Sequence, residues 1–317
     1  MASGGFKPKE VAYQAAALAA VLAVVWFFVS NTVANLDARR IASGFGFLQR
    51  EAGFEIGEKF FLTYGAADTY ARALVVGVLN TLGVAIIGIV LATGLGAAVG
   101  LSRLSPNFML RSAAAAYVEF FRNVPLLVQL FFWYALITEG LPGPREALSP
   151  LPGVFLSNRG ILLPSLEGAP RLEGFNFVGG TAITPEFAAL LAGLSVYTAA
   201  FIAEIVRAGV LAIERGQWDA AQAMGLTRGE SLHFIIVPQA LRVVIPPLAS
   251  QYLNLTKNSS LAVAIGYPDL VSIANTTLNQ TGQAIEGIAI IMGVYLTISL
   301  SISAFMNWYN ARIAFRR

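Results

Sequence analysis

The sequence of 317 residues contains no cysteine and only one histidine, His233. The absence of cysteine excludes disulfides and thiolate metal sites, and a single histidine cannot form a histidine-rich metal cluster. Each of the four lysines, Lys7, Lys9, Lys59 and Lys257, follows a residue other than glycine. The phosphate-binding pattern GxxxxGK[ST] is therefore absent, so we predict no cofactor or metal on this chain and place any ATP and magnesium on another chain.

Charged residues are also scarce, at 12% of the sequence against about a quarter in an ordinary soluble domain. Hydrophobic residues make up 56%, and the mean hydropathy is +0.66. So large an apolar surface must face membrane lipid rather than water. The net charge is +3, and basic residues in a membrane protein indicate its orientation rather than a nucleic-acid partner.

Six stretches are long and apolar enough to predict membrane helices, since about 20 residues cross the hydrocarbon core. We therefore predict an all-α integral membrane protein with about six transmembrane helices. The first apolar run is longer than that of a secretory signal, so we expect it to be retained as a membrane anchor. The predicted spans are residues 11–36, 73–102, 112–138, 187–203, 243–256 (continuing to 268) and 287–311.

Basic residues in the short connections and at both termini favour an orientation with the two termini in the cytoplasm. On that orientation, segments 37–72 and 138–185 lie outside. The second is rich in proline and glycine, which predicts an extended, non-helical excursion. In the first, the phenylalanines between residues 42 and 62 are typical of a loop on the membrane surface, and a docking surface for an external partner is the alternative.

The loop 214–240, between the fourth and fifth predicted spans, is expected to form two short helices around Gly225. Asp219 is predicted in the first turn of the first helix, where a negative charge suits the helix dipole. Gly225 can adopt the left-handed conformation that ends a helix. Thr227 and Glu230 have the spacing of a capping box, and Pro238 is predicted to end the second helix.

The composition of this loop suits a helix that enters a groove of a partner protein. Small residues allow close approach, adaptable apolar residues give contact area, and charged residues form a rim. An ordinary capped helical loop without a partner is the alternative. The candidate contact residues are Asp219, Ala220, Ala221, Met224, Gly225, Leu226 and Arg228.

The spacing within the loop resembles the EAA motif of ABC importer permeases. Asp219-Ala220-Ala221 is followed after three residues by Gly225, and nine residues later by Ile235, one residue and Val237-Pro238. Asp replaces the usual Glu, and Val replaces the usual Leu. The resemblance implies a coupling helix seated in a cleft of a separate ATPase.

Other segments, among them 119–134, 197–207 and 238–248, resemble permeases of the polar amino-acid type (histidine, glutamine and arginine). The extra first helix and residues 265–282 resemble more closely the Q-type permease of general L-amino-acid importers. The resemblance implies a type I ABC importer permease domain at 73–317, with a five-helix core, preceded at 1–72 by an additional helix and an outer segment. It also implies a multi-pass protein of the bacterial inner membrane. The implied partners are an ABC ATPase dimer, a second permease subunit, either identical or a paralogue, and a periplasmic amino-acid-binding protein.

Charged and polar groups inside predicted spans are candidates for contact with a substrate. Lys257 lies midway along an apolar stretch, and a cation with polar neighbours suits the carboxylate of an amino acid; a structural role for Lys257 is the alternative. The other candidates are Asn258, Ser259, Asn123, Tyr197 and Gln251. The pairs Glu119–Arg122 and Glu204–Arg207 have helical i,i+3 spacing and can each form an ion pair. The first is either a structural pair or part of a substrate site, and the second is expected to be a structural anchor.

The sequence contains no nucleophile–base pair or cofactor motif, so we predict a transport subunit rather than an enzyme. The alternative to an ATP-driven importer is a secondary amino-acid transporter driven by an ion gradient. That mechanism needs an intramembrane relay of carboxylates or histidines, for which only Glu119, Glu204 and Glu286 are available.

Overall fold

A computed structural model describes residues 8–38, 43–59, 61–165 and 168–313. Helices dominate these ranges. The α-helices are α1 (Pro8–Ala38), α2 (Tyr70–Ser102), α3 (Phe108–Asn123), α4 (Leu126–Thr138), α5 (Pro185–Leu211), α6 (Arg215–Ala223), α7 (Arg228–Ser231), α8 (Val237–Asn258), α9 (Leu270–Thr281) and α10 (Ala284–Ile313). Shorter 3-10 turns lie at Phe45–Gln49, Pro144–Glu146 and Ser259–Ile265, and a π-turn lies at Leu232–Ile236.

Five helices of the described ranges are long and apolar enough to span a membrane: α1, α2, α5, α10 and the continuous helix Arg228–Ile265 that contains α8. The pair α3 and α4 makes a sixth span if the two are counted together. The predicted helical membrane fold with about six spans is therefore confirmed. The apolar windows of α1 and α10 both bury no residue within the protein.

The third span differs from its prediction as one helix over residues 112–138. It is two helices, α3 and α4, bent by 105°. Pro125 has no backbone N–H and favours an extended residue before it, and Val124 is extended with φ −88° and ψ 125°. The buried Gln129 closes the bend, because its Nε2 donates at 3.0 Å to the carbonyls of both Phe121 and Val124.

The core is built on a close approach of α2 and α5. A Cβ added at Gly96 would lie 2.7 Å from the Ile202 Cβ, and one at Gly100 would lie 2.6 Å from the Ala203 carbonyl. Only glycine fits at these two contacts. The main cluster of buried apolar side chains adds residues of α4, α8 and the Ser259–Ile265 turn to this pair.

The segment between α4 and α5 forms two small antiparallel sheets. The strands β1 (Leu148–Leu151), β2 (Val154–Ser157), β3 (Gly160–Leu163) and β6 (Thr181–Ile183) pair in the order β1-β2-β3-β6. Strands β4 (Arg171–Glu173) and β5 (Asn176–Val178) form a separate hairpin. The backbone is extended, as predicted, but the pairing into sheets was not predicted.

Residues 43–59 and 61–69 pack against the protein instead of lying only on a membrane surface. Phe47 is 2% exposed and Ile56 is 3% exposed, in a cluster with the first turns of α2 and with α9. The interfacial prediction is therefore wrong for Phe47, and also for Phe54, whose ring is 6.2 Å from that of Tyr64. Phe45 and Phe61 are exposed, and Phe60 lies outside the described residues.

Candidate functional site

The loop between α5 and α8 folds as a helical hairpin, α6–α7. Gly225 has φ +80° and ends α6, as predicted. The Thr227 backbone N–H donates to Glu230 Oε2 at 2.8 Å, and the Glu230 N–H donates to Thr227 Oγ1 at 3.3 Å. These reciprocal bonds are the predicted capping box. Local sequence chemistry therefore accounts for the turn between the two helices.

Two details of the hairpin differ from the prediction. Helix α6 starts at Arg215, so Asp219 lies beyond its first turn. Pro238 does not end the second helix, because α7 continues through the π-turn into α8. In that wider turn the Val237 N–H donates to the Leu232 carbonyl, five residues back, and the helix accommodates the proline that follows.

The candidate coupling residues divide into an exposed set and an inward set. Asp219, Gly225 and Arg228 are exposed. Ala220 and Met224 are also exposed and lie one turn apart on the same face of α6, and the Met224 side chain is 72% exposed. Leu226 is half-buried, and Ala221 is 2% exposed. The structure thus assigns opposite environments to the two alanines of the motif.

The inward face anchors the hairpin to the spans. Gln239 Nε2 at the start of α8 donates to Gln217 Oε1 of α6 at 3.0 Å. Trp218 packs on a buried cluster that contains Val210 at the end of α5 and Ile236. The hairpin is therefore attached to both the fourth and the fifth predicted spans, while Met224 and its exposed neighbours are available to a partner.

The helix that leaves the hairpin leads directly to Lys257, which lies in the last turn of α8. Two residues earlier, Leu255 packs on Gly88, near the middle of α2, so Lys257 lies at about mid-height in the bundle. Its side chain is exposed, and none of the ion pairs among the described residues includes it. Lys257 is therefore available to a negatively charged group.

The remaining substrate candidates differ in their exposure to solvent. Asn123 is exposed, and Asn258, Tyr197 and Gln251 are half-buried. Ser259 is fully buried, and its hydroxyl donates to the Thr256 carbonyl at 2.7 Å, so this hydroxyl already stabilises the end of α8. Among the described residues, no side-chain hydrogen bond joins any two of the six candidates.

The predicted ion pair between Glu119 and Arg122 is absent from the described residues. The Arg122 guanidinium instead lies 5.1 Å from the ring centre of Phe201, which also contacts the Tyr197 ring at 5.0 Å. The other predicted pair is confirmed: Arg207 Nε donates to Glu204 Oε2 at 3.2 Å. Glu204 also pairs with Arg103 and thus ties α5 to the end of α2.

A polar network at the opposite end of the bundle was not predicted. The fully buried Asn80 donates to the carbonyls of Glu58 at 2.9 Å and Pro268 at 2.8 Å. The Thr184 hydroxyl donates to Glu58 Oε2 at 2.6 Å. Burial raises the pKa of Glu58 above its ordinary value. The hydrogen bond from Thr184 partly opposes this rise, and the charge of Glu186 adds to it. An asparagine inside an otherwise apolar span was the available signal for this network.

Comparison with known proteins decides what kind of protein this architecture belongs to. Residues 85–315 match the family described as binding-protein-dependent transport system inner membrane component. The chain belongs to this family. It is therefore a multi-pass permease component of the inner membrane, and in this family the ATPase is a separate protein.

Several members of the family are similar over nearly their whole length. The permease protein YhdX of Escherichia coli K12 is 47% identical, covering 95% of this chain and 93% of that protein. The general L-amino acid transport system permease protein AapQ of Rhizobium johnstonii is 41% identical, covering 97% and 93%. The predicted resemblance to polar amino-acid permeases is confirmed.

Among solved structures, a crystal structure of an amino acid ABC transporter with histidines is similar to this permease, with a TM-score of 0.59 and 24% identity. The match covers 77% of this chain and 95% of that one. An inward-facing MetNI methionine ABC transporter has a TM-score of 0.56 and 19% identity, with coverage of 77% and 98%. These likenesses show the fold.

Proposed function

We propose that this permease is the membrane subunit of an ATP-driven importer of polar and general L-amino acids. Its partners are an ABC ATPase dimer, a second permease subunit and a periplasmic amino-acid-binding protein. The cargo is supported by AapQ, and by the glutamate/glutamine/aspartate/asparagine permease protein BztB of Rhodobacter capsulatus, 35% identical over 96% of this chain and 93% of that protein. The alternative of a secondary transporter driven by an ion gradient is not supported, because a separate ATPase drives transport in this family.

The observation that carries the proposal is the exposed face of α6 on an anchored hairpin. Ala220 and Met224 form a small, adaptable patch, with Asp219 and Arg228 also exposed on the hairpin. Such a surface fits a groove in which an apolar helix face is seated and charged groups stay near water. The hairpin continues as one helix into the span that contains Lys257. A movement of the ATPase groove would therefore be transmitted to the candidate substrate site by this one helix.

On this proposal, Lys257 with Asn258 attracts the carboxylate of the amino acid, and Gln251, Tyr197 and Asn123 add hydrogen bonds. Ser259 contributes to the shape of the helix end rather than to the substrate, because its hydroxyl donates to the Thr256 carbonyl. A second permease subunit completes the pathway, since Lys257 and Asn123 are exposed on this chain by itself.

The test is retention of the ATPase on the purified permease after substitution of Ala220 by tryptophan. Ala220 is exposed, so the permease folds but the larger side chain no longer fits the groove. We expect the retained ATPase to fall at least ten-fold and amino-acid uptake to fall with it. Full retention of the ATPase by A220W would refute the assignment of this face as the coupling surface.

Two further alanines provide matched controls. Ala212, at the end of α5, is also exposed but lies outside the hairpin, so A212W is expected to retain the ATPase. Ala221 is buried, so A221W is expected to disrupt the hairpin itself and to lower the yield of folded permease. The two hairpin variants thereby separate loss of docking from loss of folding.

A further inference from the structure

A cavity of about 680 Å³ lies behind the hairpin, between it and the ends of α2 and α5. Its wall is mostly apolar and includes Leu101, Leu104, Val210 and Leu232, with the Trp218 side chain on the hairpin side. The cavity belongs to the face of the hairpin that turns toward the spans. It is therefore distinct from the exposed patch of Ala220 and Met224, and of the candidate coupling residues only Arg228 also lines the cavity.

Two arginines border this cavity, Arg215 at the start of α6 and Arg228 at the start of α7. Both are exposed, and neither takes part in an ion pair among the described residues. Of the nearby carboxylates, Glu230 is occupied by the Thr227 cap. The cavity therefore combines an apolar wall with two cations at its edge.

The position of the cavity fits a ligand that comes from the membrane. It lies where the spans α2 and α5 end, which is the level of the lipid headgroups. The neighbouring first turn of α3 exposes Phe108 by 70% and Met109 by 80%, and the guanidinium of Arg111 lies 5.9 Å from the Phe108 ring centre. Aromatic and apolar side chains beside arginine are typical of a surface in contact with the interfacial region of a bilayer.

We propose that the cavity binds one anionic phospholipid, with its phosphate between Arg215 and Arg228 and the glycerol and upper acyl chains against Leu101 and Leu104. Charge complementarity favours an anionic over a zwitterionic headgroup. The apolar wall and the location at the span ends favour a lipid over free phosphate. A bound lipid would support the hairpin from behind and keep its opposite face in position for docking.

A charge introduced at position 105 tests the proposed lipid site without a change in the hairpin. Ser105 lines the cavity from the turn between α2 and α3, and its hydroxyl accepts the Asn107 N–H at 3.1 Å. The substitutions S105E and S105K both remove that hydroxyl, so they share its structural cost and differ in charge. Each is made in the full chain with Trp218 as the single tryptophan, the other three being replaced by phenylalanine.

The permease is reconstituted in nanodiscs of phosphatidylcholine that contain one-fifth brominated phosphatidylglycerol or, in the matched set, one-fifth brominated phosphatidylcholine. We expect stronger quenching of Trp218 by the brominated phosphatidylglycerol in the unsubstituted single-tryptophan chain. S105E should lower this preference by roughly five-fold, and S105K should keep or raise it. The variant R111Q, which removes a nearby charge outside the cavity, should leave the preference unchanged.

Equal quenching by the two brominated lipids, or equal effects of S105E and S105K, would overturn the proposal. Quenching that disappears whenever the ATPase is bound would overturn it too, because the cavity would then be an ATPase contact. Retention of the ATPase is measured on the same variants, so that failure of the coupling proposal registers separately from failure of the lipid site.

Discussion

The conformation of Gly225 provides the sharpest test of the hairpin, since its φ of +80° is one that residues with a side chain rarely adopt. A Cβ at this position meets no atom within 4 Å, so replacement by alanine is sterically free and its cost is conformational. The left-handed region costs an L-residue about 1–2 kcal/mol. That energy corresponds to a factor of roughly 5–30 in the ratio of native to non-native hairpin.

We therefore expect G225A to weaken ATPase binding by up to roughly 30-fold in a titration of the ATPase against permease in nanodiscs, with the full factor reached where the free hairpin is mostly non-native. The control is Gly216, in the same hairpin but inside α6, where a Cβ also meets nothing within 4 Å. Alanine is a better helix former than glycine, so G216A should bind the ATPase equally well or slightly better.

Asparagine at position 225 separates conformation from steric exclusion. Asparagine is larger than alanine but tolerates the left-handed region better. If the cost is conformational, G225N binds the ATPase more tightly than G225A; if the groove simply excludes side chains at this position, G225N binds more weakly. Weaker binding by G225N, or no effect of G225A, would refute the role assigned to the turn.

Three further predictions concern the bundle and are measured by thermal unfolding of the solubilised permease. Q129L removes two buried hydrogen bonds across the α3–α4 bend and should cost about 2 kcal/mol. Q251L should cost little, because this half-buried glutamine makes no side-chain hydrogen bond among the described residues. G96A forces α2 away from α5 and should cost about 1–3 kcal/mol, while the exposed Gly94 should accept alanine without loss. Burial raises the pKa of Glu58 above its ordinary 4.5, so its stabilising effect is complete below pH 4.5 and is lost as the pH rises through the raised pKa. E58Q should therefore weaken the decline in melting temperature above pH 4.5, and an identical decline in both proteins would contradict the role of this carboxyl.

Local chemistry and hydropathy are sufficient to predict the positions of the spans and the turn of the hairpin. The spans follow from the cost of placing charge in hydrocarbon, and Gly225 and the Thr227–Glu230 box act within a few residues of themselves. The sequence alone does not predict the different effects of Pro125 and Pro238. Pro125 breaks its helix by 105°, whereas Pro238 is accommodated by the π-turn, and the difference depends on how neighbouring backbone groups are satisfied.

Tertiary packing decides what the sequence left open. Ala220 and Ala221 are chemically identical neighbours, yet one is exposed and the other is 2% exposed, because the hairpin turns only one of them toward the spans. The short strands between α4 and α5 depend on pairing across several turns, which composition does not encode. Phe47 was predicted at the membrane surface because aromatic residues suit that interface, but in the structure it packs against residues of α2 and α9.

The continuity of the helix from Arg228 to Lys257 determines how far a movement of the hairpin can reach. At 1.5 Å per residue this helix is about 44 Å long, so a tilt of about 5° about its hairpin end displaces the other end by about 4 Å. Pro246 and Pro247 lie inside α8 and are the points at which bending would absorb such a tilt. Ahead of them, Val244 packs so closely on Gly209 of α5 that a Cβ there would lie 2.2 Å from Val244 Cγ2. Because this contact leaves no free space, a tilt of the first part of α8 toward α5 would displace α5 as well. On the proposed assignment of Lys257 to the substrate, a displacement of this size exceeds the length of a hydrogen bond and is large enough to remove an amino-acid carboxylate from its reach.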